Sequence, residues 1–313
     1  MKLGFLFAGQ GSQYPGMGSD LYEEYPTFRE VFDSIDLDFN LKECCFLDKN
    51  GRLNQTRYTQ PCMVAFACGL TAVLREKGIK PAVVAGLSLG EYSALWAAGV
   101  FDVKTAVELV AFRGRVMERA AEGIESSMMA VLGLERELLQ KACEEISAEG
   151  IVGIANYNCP GQIVIGGEKR AVERCAERAK ELGARRCMAL KVSGPFHTPL
   201  MASAGVALEE YFETVSFSKP DIPVIFNCVG ALKCKTDKIS DLLVKQVQSS
   251  VYMEDSIRTM AMEGVDAIVE IGPGKVLSGF VRKTVPEIPV FGVETVSEVE
   301  NLSARLAELD KER

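Results

Sequence analysis

The chain has 313 residues, 48% of them hydrophobic and 25% charged, with a formal net charge of -8. That length supports a sizeable core in one large domain or two, and the acidic balance argues against nucleic acid or an anionic membrane as main partner. No apolar run reaches the roughly 18 residues that span a bilayer, so a cytoplasmic protein is expected.

The opening "MKLGFLFAGQGSQ" has one lysine and no small-residue cleavage pattern, so it reads as a strand rather than a signal peptide. The glycine-rich loop "GQGSQYPGMG" follows. "QPCMVAFACGLTAVLREKGI" has helical character and stops before Lys80-Pro81. "PAVVAGLSLGEYSALWAAG" runs from a β-rich burst through a turn into a helix. "DVKTAVELVAFRGRVMERAAE" is a further helix, with Asp102 as its N-cap.

From residue 124 the pattern changes. "SMMAVLGL" reads as a strand; Leu138, Leu139, Ala142, Cys143 and Ile146 recur at helical spacing. "IVGIAN" and "GQIVIGG" read as strands joined by the turn "YNCPG". A second helix carries Ala171, Val172, Cys175, Ala176, Ala179 and Leu182 on one face, and "RRCMALKV" closes as a strand. This β-α-β-β-α-β unit is ferredoxin-like. It reads as an insert at 124–193 in a discontinuous α/β domain formed by 1–123 and 194–313, which resumes with "IPVIFNCVG" and "DAIVEIGPGKVLSGFV".

The chain has ten cysteines and no C-x-x-C pair, so buried free thiols are expected rather than disulfides. Its single histidine leaves little from which to build a zinc site. Neither "GQGSQYPG" nor "GPGKVLSG" fits a Walker A loop or a dinucleotide fingerprint.

Ser88 lies in "GLSLG", a G-x-S-x-G pattern between a strand and a helix. Two readings are open: a serine-capped βα turn, or a nucleophile elbow in which the glycines make room for a strained bend. In the second, the Leu89 N–H at the helix start is placed to stabilise an oxyanion. His197, in "VSGPFHTPLM", favours the elbow, because imidazole is the natural general base near neutral pH and no other is present. Arg113 shares a helix face with Ala106, Leu109, Val110 and Met117. It either snorkels to solvent or meets an anion, for which a bidentate carboxylate is the best fit.

Together "FLFAGQGSQYPGMG", "GLSLGEYSAL", "VAFRGRVM", "NYNCPGQIVIGG", "GPFHTPLM" and "VEIGPGKVLSGF" resemble the malonyl-CoA:acyl carrier protein transacylase family, in the family's order over most of the chain. The resemblance implies an α/β-hydrolase-like large domain with the ferredoxin-like unit inserted and the active site in a cleft between them. It also implies a ping-pong transfer of malonyl from CoA to a serine and then to the thiol of acyl carrier protein. Ser88 would be the nucleophile and His197 its base. Gln10 and Leu89 would give the oxyanion-hole N–H groups, and Arg113 would hold the malonyl carboxylate. Gln246 would help set the histidine, with Asn156 and Asn158 lining the cleft. Malonyl-CoA and acyl carrier protein are then the partners of a monomer that needs no cofactor, since CoA is a substrate.

The sequence departs from the family twice. Leu87 stands where a histidine usually precedes the nucleophile, and "SSVYM" follows Gln246 where proline and tryptophan are usual. Two other functions share these motifs: a serine hydrolase or thioesterase, and a non-catalytic carrier-protein-binding paralogue. An acidic carrier would need basic residues near the site, for which Arg185, Arg186, Arg282 and Lys283 are candidates.

Overall fold

The computed structural model describes residues 1–311. Its strands in chain order are β1 (Leu3–Phe7), β2 (Val83–Gly86), β3 (Ser126–Leu132), β4 (Val152–Cys159), β5 (Gln162–Glu168), β6 (Arg186–Ala189), β7 (Ile225–Phe226), β8 (Ala231–Leu232), β9 (Val251–Tyr252), β10 (Ala267–Ile271) and β11 (Val290–Val293). Helices separate most of them, giving a mixed α/β chain. The chain divides into two compact units, one of residues 1–114, 217–225 and 257–313 and the other of 115–216 and 226–256. Among the described residues, no helix is long and apolar enough to cross a membrane.

The first unit is built on a four-stranded sheet of order β11-β10-β1-β2, parallel throughout. "LGFLF" and "VVAG" are buried at every position, as strands covered on both faces should be. The register pairs Phe7 with both Gly86 and Ile271, so three strands end at one level and their following loops emerge together. The carboxyl edge of a parallel sheet is where such folds place their chemistry.

Glu270 is a charge inside this core, at 0% exposure on β10. Its carboxylate accepts the Leu277 N–H at 2.9 Å and the Ser278 N–H at 2.7 Å, capping the helix Val276–Thr284 from beneath. Burial raises its pKa, and those bonds oppose the rise.

The second unit holds a five-stranded sheet of order β6-β3-β5-β4-β9. Strands β3 to β6 are antiparallel neighbours, and β9 adds to β4 in parallel. The helices Arg136–Ile146 and Lys169–Glu181 lay Leu139, Ala142, Cys143, Ile146, Val172, Cys175 and Ala179 into one core with Ile154, Ile163 and Ile165. Cys143 Sγ and Cys175 Sγ lie 3.6 Å apart there as free thiols.

Several local expectations change. "YNC" belongs to β4, not to the turn, and Cys159 pairs directly with Gln162. Pro160 and Gly161 alone make the bend, Gly161 at φ 70°, the order a type II turn takes. Leu138 is exposed, although it falls in the apolar pattern of its helix. "IPVIFNCVG" gives the first sheet only a bridge from Val224 to Val84, and residues 226–256 belong to the second unit, which is therefore wider than 124–193. Of the ten cysteines, Cys234 is exposed and Cys187 partly so, while the other eight are buried; all are free.

Candidate active site

In the first unit β2 ends at Gly86, and the chain turns through Leu87, Ser88 and Leu89 into the helix Gly90–Ala97. Ser88 has φ 50°, one of three non-glycine residues with positive φ among those described; the others are Asp48 and His197. Left-handed backbone is costly for a residue with a Cβ and persists only when its surroundings enforce it.

Here packing enforces it. A Cβ at Gly86 would lie 2.0 Å from the Gly90 carbonyl carbon, and one at Gly90 would lie 2.2 Å from the Phe7 oxygen. Both glycines are therefore required by contact, and the bend is a tight strand-to-helix elbow fixed by packing. Leu87 presses on the neighbouring loop: a Cβ at Gly9 would be 2.6 Å from the Leu87 oxygen and 3.2 Å from its Cγ. The side chain that replaces the expected histidine thus packs against the loop that carries Gln10.

Leu89 caps the helix, and Gln10 follows β1, the strand beside β2. Neither the Leu89 nor the Gln10 backbone N–H donates a hydrogen bond among the described residues. Each remains available to an anion, at the ends of adjacent parallel strands. The Gln10 side chain is held separately, its Nε2 donating to Thr56 Oγ1 at 3.0 Å.

Arg113 is 1% exposed and does not snorkel. Its Nη2 donates to Ser88 Oγ at 3.1 Å, and its guanidinium carbon lies 5.2 Å from the centre of the Tyr92 ring. Burial lowers the Arg113 pKa, with Tyr92 acting the other way. Burial pushes the Tyr92 phenol up to about 12, so it faces the cation as a neutral ring. In this bond Ser88 Oγ is the acceptor and the guanidinium the donor, which fixes the direction from which the cation meets the serine.

The second unit carries the histidine. His197 is 5% exposed, with φ 62°, in the segment before the short 3-10 helix Pro199–Met201. Nδ1 lies 2.8 Å from the backbone oxygen of Gln246. A carbonyl only accepts, so Nδ1 carries the proton and Nε2 of the neutral ring keeps its lone pair, as a general base requires. Thr198 Oγ1 donates to the Pro195 oxygen at 2.6 Å and closes the turn.

Gln246 is fully buried, and its main chain makes this contact with the histidine. Beyond it, Ser249 and Ser250 donate to the Lys245 and Ile154 oxygens and lead into β9. Asn156 and Asn158 both lie on β4, the first partly exposed and the second buried, because a register irregularity between Tyr157 and Cys159 breaks the alternation. The first unit therefore gathers Ser88, Leu89, Gln10 and Arg113, and the second joins His197 to Gln246. Thr56 and Tyr92 were not anticipated as neighbours of this chemistry; each lies in an ordinary helical pattern, and only the contact distances single them out.

A family model described as "Acyl transferase domain" matches residues 4–305. The malonyl CoA-acyl carrier protein transacylase of Bacillus subtilis (strain 168) is 41% identical over 302 residues, spanning 96% of this chain and 95% of that protein. The crystal structure of the transacylase of that name from Clostridium perfringens superposes with a TM-score of 0.95 at 41% identity, covering 99% of this chain and 98% of that one. A type II PKS acyl-carrier protein in complex with its malonyl-transacylase gives a TM-score of 0.91 at 35% identity over 96% of this chain and 98% of that chain.

Proposed function

The chain belongs to the acyl transferase domain family, and from that premise we propose that it transfers a malonyl group from CoA to acyl carrier protein through a malonyl-serine intermediate, for fatty acid or polyketide synthesis. The observation that carries this reading is the 3.1 Å contact between Arg113 Nη2 and Ser88 Oγ. In a malonyl thioester one methylene separates the thioester carbonyl from the free carboxylate, so the two carbonyl carbons are about 2.5 Å apart. A cation that reads the carboxylate must therefore sit within a few ångströms of the attacking oxygen. A buried arginine does so here, and its planar fork suits a carboxylate.

In the proposed sequence His197 Nε2 takes the Ser88 proton as Oγ attacks the thioester carbonyl. The Gln10 and Leu89 amides hold the resulting oxyanion. Collapse expels the CoA thiolate, which receives the proton from His197 and leaves malonyl-Ser88. The carrier's phosphopantetheine thiol then gives its proton to His197, attacks the ester and departs as malonyl thioester, returning the proton to Ser88. Arg113 anchors the acyl group through both halves, and no cofactor enters, CoA being a substrate.

The finer architecture is part of the same proposal. The elbow at the carboxyl edge of a parallel sheet supports an α/β-hydrolase-like first unit. The β-α-β-β-α-β order with neighbours β6-β3-β5-β4 supports a ferredoxin-like second one. A cytoplasmic monomer remains the expected state.

Intact-mass measurement after mixing with malonyl-CoA should show one malonyl adduct, absent from Ser88→Ala. Addition of holo acyl carrier protein should discharge it to the carrier. Release of free malonate in place of that transfer would instead make the protein a hydrolase.

A further inference from the structure

The loop that carries Gln10 is flexible by composition and yet tied down. Gln10 stands between Gly9 and Gly11, the latter at φ 114°. With a glycine on either side, the local backbone does little to fix the direction of the Gln10 N–H. Side chains supply what the backbone lacks. Gln10 Nε2 donates to Thr56 Oγ1 at 3.0 Å, Gln13 Nε2 donates to Asn54 Oδ1 at 2.9 Å, and Gln13 Oε1 accepts the Gly11 N–H at 2.8 Å.

Two of these bonds land on one short segment, Asn54 to Thr56, where the helix Thr56–Glu76 begins. Thr56 is fully buried, whereas Asn54 is exposed. The helix Val103–Ala121 backs this segment closely: a Cβ at Gly114 would lie 2.8 Å from both the Thr56 oxygen and the Arg57 Cα. The residue before Gly114 is Arg113. Thr56 therefore abuts, through its main chain, the helix that carries the anion-binding cation, and through its hydroxyl it holds the loop with the oxyanion donor.

We propose that Thr56 is a positioning residue for the acyl-transfer reaction, its hydroxyl holding the Gln10 carboxamide so that the Gln10 backbone N–H stays aimed at the oxyanion. The inference rests on the reading of Ser88 as the acylated nucleophile. It assigns Thr56 no contact with substrate. Its effect falls on the transition state, because a displaced amide weakens the bond to an oxyanion that the ground state lacks.

The test is single-turnover acylation of Ser88 by malonyl-CoA and, separately, by acetyl-CoA, in Thr56→Val and Thr56→Ser proteins, beside steady-state transfer and thermal melting. Thr56→Val should slow acylation by both donors by the same factor, on the order of ten-fold, as expected for a donor displaced but not removed. KM should stay within about two-fold, because ground-state binding is untouched. Thr56→Ser keeps the hydroxyl and should restore the rate. Gln10→Met cuts the same bond from the other end, and combined with Thr56→Val it should add no further loss. If Thr56→Val fails to fold, Gln10→Met and its response to both donors carry the test.

An unchanged rate in Thr56→Val, or a serine variant as slow as the valine one, overturns the proposal. A loss confined to malonyl-CoA also overturns it, since that would mean Thr56 acts through Arg113. A wild-type protein that forms no adduct defeats the parent reading instead, so the two failures are distinguishable.

Discussion

Ser88 and His197 both sit at positive φ, and they are held there by different means. The serine bend is enforced by contact, with Gly86, Gly90 and the Phe7 oxygen too close for a side chain to intervene. The histidine turn is held by hydrogen bonds, from Thr198 Oγ1 to the Pro195 oxygen and from Nδ1 to the Gln246 oxygen. Strain walled in by backbone has no small relaxation available. Strain held by polar bonds can be loosened one bond at a time. The two turns should therefore respond differently to single substitutions.

Gly90→Ala should have the largest effect. The added methyl would lie 2.2 Å from the Phe7 oxygen and 2.9 Å from that of Ala8, so β1 or the elbow must move. A displacement near 1 Å at a nucleophile costs about 100-fold, and overpacking of this kind costs about 1–3 kcal/mol or more. Both acyl transfer and the melting midpoint should fall. A fully active Gly90→Ala protein would mean that contact does not fix the elbow.

Arg113→Ala comes next and sharpens the chemistry of the first unit. In the proposed function it removes charge-assisted bonds to the malonyl carboxylate, worth about 1.5–3 kcal/mol, so malonyl transfer should drop by about 10- to 100-fold. Acetyl transfer, measured in the same preparation, should change far less. Equal losses would assign the arginine to the serine alone.

Thr198→Val tests the other turn. Losing the bond to the Pro195 oxygen, with that acceptor left buried, should cost about 1–3 kcal/mol of stability. Acylation should slow with it while the elbow stays intact. A melting midpoint that does not move would show that the histidine turn too is fixed by packing.

The smallest expected change is at Asp102. Its Oδ1 accepts the Thr105 N–H at 2.7 Å, capping the helix that carries Arg113. That backbone bond is the first cause of a carboxyl pKa below the usual 3.8. A depressed carboxyl contributes stability above its unfolded value and loses it as pH falls through the folded one. The contribution should thus be complete at pH 5 and disappear only below the ordinary carboxylate range. At neutral pH Asp102→Ala should cost about 1 kcal/mol, read as a small shift in denaturant midpoint that vanishes in strong acid.

The first unit was the more legible in sequence, for a physical reason. Parallel strands buried on both faces must be apolar throughout, so "LGFLF" and "VVAG" declare themselves, and glycines forced by contact leave a pattern such as "GLSLG". The helix face of Ala106, Leu109, Val110, Arg113 and Met117 was equally readable, and all five are buried. Where polar residues do structural work, the pattern misleads. "YNC" has turn-like chemistry but stays in a strand because register irregularities absorb it. Leu138 follows the helical period yet lies outside the core, and Glu270 fits no strand pattern because its partners are the amides of a helix that follows it.

The acceptor on His197 Nδ1 is a peptide oxygen, a group that every amino acid carries. Exchanging the side chain at position 246 therefore leaves the imidazole's proton on the same nitrogen, provided the chain keeps its path there. Scanning mutagenesis would pass over this contact, and only a change in the course of the main chain at the end of the helix Ile239–Gln248 can abolish it.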